Sequence, residues 1–168
     1  LTRFAGKMGK RYKNGLPPEE VGAEYGVDTL RLYEMYMGPL EASAPWSMEG
    51  IRGMQRFLHR VWRNLLDRDG SPKRAQDGGG DDGAGADEGI TKLLHRTIDK
   101  VTADIEALRF NKAIAALIEL NNALVGTHSI ADAVARDFIR LLAPFAPHVA
   151  EELWERWEFG SGDISSQS

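Results

Sequence analysis

Apolar residues in this chain recur every three to four positions, over two long stretches. The first runs through Ile51, Met54, Phe57, Leu58, Val61, Trp62, Leu65 and Leu66. The second runs through Ile90, Leu94, Ile98, Val101, Ile105 and Leu108, then after a phase shift at Phe110-Asn111 through Ile114, Leu117, Ile118, Leu120 and Leu124. That spacing lines one face of a helix. No segment of convincing length alternates with period two. The pattern predicts an all-α chain, a bundle of four or five main helices.

Local signals divide the pattern. Leu1–Pro18 holds Gly6, Gly9, Gly15, Pro17 and Pro18 and reads as a mobile loop. Pro18 followed by Glu19 and Glu20 opens a short helix that ends near Tyr25, with Gly26 as a left-handed cap. Asp28 is expected to cap a helix from about Thr29 to Met37, stopped by Gly38-Pro39. Ser47 caps the next, from Met48 to about Asp67. Asp69–Gly89 is rich in Gly and Asp, has nothing to bury, and reads as a flexible loop. Ser129 is expected to cap a helix over Ile130–Leu142, and Pro147 to open a last one through Trp157. Gly160–Ser168 reads as a loose tail.

Charge adds a second layer. The chain carries 21 basic and 25 acidic residues, net −4, unevenly spread. Leu1–Pro18 contains Arg3, Lys7, Lys10, Arg11 and Lys13 and no acid; Ile51–Asn64 contains Arg52, Arg56, Arg60 and Arg63 and no acid. Two concentrated basic surfaces on an acidic chain fit contact with a polyanion, nucleotide phosphate or nucleic acid; two solvated faces are the plainer alternative. Cysteine is absent, which excludes disulfides, thiolate chemistry and Cys-ligated zinc. The four histidines, His59, His95, His128 and His148, have no metal-ligand spacing. No window is apolar enough to span a membrane, and Leu1-Thr2-Arg3-Phe4 opens no signal segment, so the expected location is cytoplasmic.

Two places hold candidate chemistry. Lys7-Met8-Gly9-Lys10-Arg11 puts two lysines three apart in a glycine-containing loop, suited to charge that develops on a departing pyrophosphate. It lacks the spacing of a P-loop, and a solvated basic loop is the plainer reading of residue type alone. Arg52, Arg56 and Arg60 stand four apart along one helix face, where guanidinium forks could follow a phosphate backbone, while Arg63 drifts to the flank. Trp62, Trp154 and Trp157 read as core rather than base-stacking platforms, Trp46 as an anchor between the two parts, and His148 as a capping or hydrogen-bonding residue.

Lys7-Met8-Gly9-Lys10-Arg11 resembles the Lys-Met-Ser-Lys-Ser signature of class I aminoacyl-tRNA synthetases, with Gly9 and Arg11 in place of the two serines. The segments that follow keep that family's order. Tyr25-Gly26-Val27-Asp28-Thr29-Leu30-Arg31-Leu32 and Tyr33–Ser43 with Pro45-Trp46-Ser47 resemble the bacterial leucyl-tRNA synthetase family in particular, as does Arg56-Phe57-Leu58 with Arg60-Val61-Trp62-Arg63. Phe110–Ala115 and Leu141–Trp154 resemble its helical anticodon-binding-type domain. The likeness covers nearly the whole chain except Gly70–Gly89.

The resemblance implies an enzyme that activates leucine with ATP, accompanied by Mg2+, and transfers it to tRNA(Leu). Lys10 would stabilise the adenylation transition state with Lys7 assisting, and Lys7, Met8, Gly9, Lys10 and Arg11 would form the ATP-facing loop. Arg52, Arg56, Arg60 and Arg63 would meet the tRNA. It also implies domain limits: residues 1–46 as the end of a catalytic domain, 47–160 as the helical domain with a loop at about 69–89, and 161–168 as a tail. Its partners would be tRNA(Leu), ATP and leucine, with a monomeric enzyme and no membrane. The family's nucleotide fold and editing domain correspond to segments upstream of Leu1, so this stretch alone is expected to be inactive. A valyl or isoleucyl relative, disfavoured by Tyr33–Glu41, and a non-catalytic helical RNA- or protein-binding module stay open as alternatives.

Overall fold

Helix α3 (Met48–Leu65) carries the first of the two apolar stripes. In the computed structural model, which describes residues 15, 17–39, 44–75 and 88–160, its apolar stripe is buried along the whole length: Ile51, Met54, Phe57, Leu58, Val61 and Leu65 all face the core. Ser47 caps it as expected, its hydroxyl accepting from the Gly50 amide at 3.2 Å. Six more helices are present among the described residues: α1 (Pro18–Tyr25), α2 (Val27–Tyr36), α4 (Glu88–Glu106), α5 (Phe110–Ala123), α6 (Asp132–Leu142) and α7 (Pro147–Arg156); of these, α1, α2, α5 and α7 pack on α3. The described fold is all-α, and its few β-like contacts are isolated bridges. Helices α4 and α5 form the most extensive pair; α2 packs on both α3 and α5, and α7 on α6, α2 and α3. Trp154, Trp157, Phe138 and Phe145 fill the centre, as the apolar stripes require.

Several local expectations are corrected. Gly26 caps α1 with positive φ as expected, its amide donating to Gly22 O at 2.9 Å, but its ψ is extended rather than left-handed helical. It takes φ 89° and ψ 147°, a conformation open to glycine and strained for other residues, and so turns the chain sharply from α1 into α2. Asp28 does not cap its own helix, because α2 already begins at Val27. Its carboxylate is buried and reaches α7, accepting from the Val149 amide at 2.8 Å and pairing with His148 Nδ1 at 2.9 Å. It therefore caps a helix 121 residues away in sequence. Ser129 does not cap α6, whose N-cap is Ala131 without a side-chain bond. Ile130 is drawn into backbone pairing instead: its amide donates to Lys73 O at 2.7 Å, and its carbonyl accepts from Ala75 N at 3.2 Å.

That pairing also corrects the expected loop at Asp69–Gly89 over its first part. Residues 66–75 are ordered by a Leu66–Pro72 bridge, by the Asp69 carboxylate accepting from the Ser71 hydroxyl and amide, and by Arg74. Arg74 meets Asp132 at 3.0 Å, donates to Trp157 O at 2.6 Å and lies over the Trp157 ring. Residues 76–87 of that segment, and the expected tail at 161–168, lie outside the described residues. Helix α3 stops at Leu65, two residues short of Asp67, and α4 starts at Glu88, two before Ile90. The break near Phe110 is real: Leu108 takes φ 55°, and the chain turns there between α4 and α5. Pro147 opens α7, which closes at Trp157.

Candidate nucleic-acid interface

The exposed side of α3 follows from the same periodicity that buries the other. Arg52, Arg56, His59 and Arg63 lie three to four residues apart and share one solvent face opposite the Val61–Leu65 stripe, so the expected placement is corrected: Arg63 stays on this face and Arg60 is the one at its flank. Arg52 and Arg56 are exposed, and neither is tied to another described residue by a hydrogen bond or ion pair. Arg60 behaves differently. It is half-buried, and its Nη1 donates to Asn122 Oδ1 on α5 at 2.6 Å. Arg63 remains exposed while its Nε donates to its own helix at His59 O, 3.3 Å away. Two guanidinium groups are thus free to meet an anion, and two are oriented by the protein.

Lys7, Met8, Gly9, Lys10 and Arg11 lie outside the described residues. Helix α2 is anchored at both ends. Arg31 of α2 donates to Pro144 O at 3.2 Å, beside the Asp28 contact to α7. At the far end of α2, Tyr33 meets Trp46 edge to face at 5.1 Å, and its hydroxyl accepts from the Ser47 amide at 2.6 Å. Trp46 thereby anchors the junction, as expected.

The tryptophans are structural. Trp154 and Trp157 are fully buried, and the half-buried face of Trp62 is covered by the Arg156 guanidinium at 5.0 Å. A feature the sequence does not disclose is the buried pair Asn64 and Asn121, where Asn64 Nδ2 donates to Asn121 O and Oδ1, both at 2.8 Å. Asn64 lies on the buried side of α3 although its residue type reads as surface, and nothing local marks it. The His148–Asp28 pair is equally hidden as a pair, though His148 by itself reads as a hydrogen-bonding residue.

Comparisons with known proteins show what the chain is similar to. Residues 87–168 match the family model described as the anticodon-binding domain of tRNA ligase. The chain is 49% identical over 156 residues to a leucine–tRNA ligase of Salinispora arenicola and 46% identical over 157 residues to one of Streptomyces coelicolor, in each case covering 93% of this chain. It spans 16% of the length of those relatives. Among solved structures it is similar to the LeuRS chain in a ternary LeuRS–tRNA–LeuAMS complex from Agrobacterium radiobacter K84, with a TM-score of 0.76 and 30% identity over 96% of this chain and 22% of that one.

Proposed function

Because the chain belongs to the leucyl-tRNA synthetase family, we propose that it supplies an ATP-facing loop and a tRNA-docking helical bundle to a leucine–tRNA ligase. The observation that carries this reading is the similarity to leucine–tRNA ligases over 93% of the chain. The full-length enzyme would join leucine to ATP, releasing pyrophosphate, and then pass the leucyl group from the adenylate to the terminal ribose of tRNA(Leu).

In that reaction Lys10 neutralises charge that builds on the leaving pyrophosphate, and Lys7 assists. Met8, Gly9 and Arg11 shape the loop that presents them. Mg2+ comes with ATP and shares its phosphate charge, so we assign it to the nucleotide. Arg52, Arg56, Arg60 and Arg63 meet tRNA phosphates along α3, with Arg52 and Arg56 as the principal contacts because they are exposed and untied. Residues 1–46 serve as the end of the catalytic domain and 47–160 as the docking domain. The enzyme works as a cytoplasmic monomer. No helix among the described residues is long and apolar enough to cross a membrane.

The test uses the full-length protein. Leucine-dependent ATP–pyrophosphate exchange is expected with leucine and not with valine or isoleucine, and Lys10→Ala is expected to lower it about 100-fold or more. Exchange with valine or isoleucine instead would move the chain to a sister enzyme, and exchange with none would leave a binding module. Changing Arg52, Arg56 and Arg60 to Glu is expected to weaken tRNA(Leu) binding. The slope of log affinity against log salt should also become shallower, by about one for each phosphate that no longer meets a guanidinium. An unchanged slope would remove α3 from the docking surface.

A further inference from the structure

A groove of about 360 Å³ opens where the α1–α2 corner, α3 and α7 meet. Its walls are mostly apolar: Tyr25 and Val27 from the corner and Leu58 from α3. Val27 is 54% exposed, so its apolar surface is open to the groove. Polar residues also line it: Asp28 and Thr29 from α2, Gln55 and His59 from α3, and His148 from α7.

The His148 ring is set rather than loose. Its Nδ1 sits 2.9 Å from the buried Asp28 carboxylate, whose other oxygen is already taken by the Val149 amide. Nε2 is left as the ring's outward polar atom, and the side chain is 76% exposed. The α3 wall of the groove continues directly into the basic face: Arg52 precedes Gln55 by one helical turn, and Arg56 precedes His59, another lining residue, by one turn. A mostly apolar slot with a fixed His148 ring and Gln55 at its wall, beside untied guanidinium groups, is complementary to a nucleotide, with the base in the slot and the phosphate on the arginines. Paired RNA keeps its bases stacked and offers phosphates alone; an unpaired nucleotide offers both.

We propose that this groove receives one unpaired nucleotide of the RNA docked on α3, its base against Tyr25, Val27 and Leu58 and its polar edge at Gln55 and His148. The proposal rests on the docking function above and adds a subsite to it. The test is tRNA(Leu) binding by the full-length protein across a range of salt concentrations, together with nucleotide-resolution chemical probing of the bound RNA. Gln55→Ala removes an amide without touching the core, and His148→Ala removes the ring. Thermal melting of each variant reports the fold, and Gln55→Ala carries the test if His148→Ala melts early.

Each variant is expected to weaken binding about five- to tenfold with the salt slope unchanged, because every phosphate keeps its arginine. One unpaired nucleotide protected by the unsubstituted protein is expected to become reactive in both. Unchanged affinity and unchanged protection would overturn the subsite. A slope that falls along with affinity would overturn it too, since the residues would then be meeting phosphate. If the arginine variants lower the slope while the groove variants do nothing, only the subsite fails; if the arginine variants leave the slope unchanged, the docking reading itself fails.

Discussion

Asp28 does the work of a helix cap and of a ring clamp with one carboxylate. Two acceptor bonds, to the Val149 amide and to His148, join α2 to the start of α7 in a buried setting. Removing the carboxylate leaves the part-buried Val149 amide and the start of α7 without their cap, so Asp28→Ala is expected to cost about 1–3 kcal/mol, measured by thermal or urea unfolding. Asp28→Asn keeps one acceptor for Val149 and is expected to cost less. Asp104 predicts the acid response. Burial by itself would raise its pKa, but hydrogen bonds and charge from Lys100 and Arg109 outweigh burial and hold it below the ordinary 3.8. A carboxylate depressed in the folded state contributes stability that is complete above its unfolded value and fades as pH falls through the lower, folded one. Stability measured from pH 5 downward is expected to fall at and below about pH 4, and Asp104→Asn to lose part of that dependence while being less stable at neutral pH.

Elements meet at a few crowded or strained points. At Gly50, in the first turn of α3, an added Cβ would stand 2.6 Å from the Tyr33 ring, which is buried and fixed by Trp46 and Ser47. Gly50→Ala is therefore expected to cost about 1–3 kcal/mol by separating α2 from α3, read as a lower unfolding midpoint with little change in helical circular dichroism. The α4–α5 corner offers the opposite sign. Leu108 is 60% exposed at φ 55°, so its side chain contributes little packing and its backbone bears the left-handed penalty. Leu108→Gly is expected to raise stability by about 0.5 kcal/mol. A drop of about 1 kcal/mol or more would show that the leucine packs in solution.

Across the whole molecule, α1 and α2 are not a loose preface to the bundle. Leu32 and Tyr33 are buried, α2 packs on α3, α5 and α7, and Arg31 and Asp28 tie it to the α6–α7 turn and to α7 itself. Native-state hydrogen exchange is expected to protect the Leu32 and Tyr33 amides about as well as those of Leu117 and Leu120 in α5. Faster exchange over α2, by a factor of about ten or more, would make residues 18–39 a separately opening unit. Matched protection would make α2 and α5 parts of one cooperative unit.

Helical class, the core stripes, the cap at Ser47, the start at Pro147 and the family segments around Gly26-Val27-Asp28 are all legible in the sequence. These depend on neighbours within one or two turns, and a 3.6-residue period or a capping hydroxyl carries its own information. The tryptophans are legible as core for the same reason. What the sequence misplaces are the polar groups whose partners lie elsewhere. Asp28 and Ser129 both precede or begin helices and look like local caps; the first is claimed by α7, and the second is bypassed because Lys73 and Ala75 pair with Ile130. The Asn64–Asn121 pair, the attachment of Arg60 to Asn122 and the groove between the α1–α2 corner, α3 and α7 likewise join residues far apart in the chain. A hydrogen bond is directional and short in range, so its partner is chosen only once packing has brought distant segments together. The sequence by itself determined which faces are buried and which are basic; the tertiary structure alone decided which polar groups on those faces are already engaged and which remain to meet a ligand.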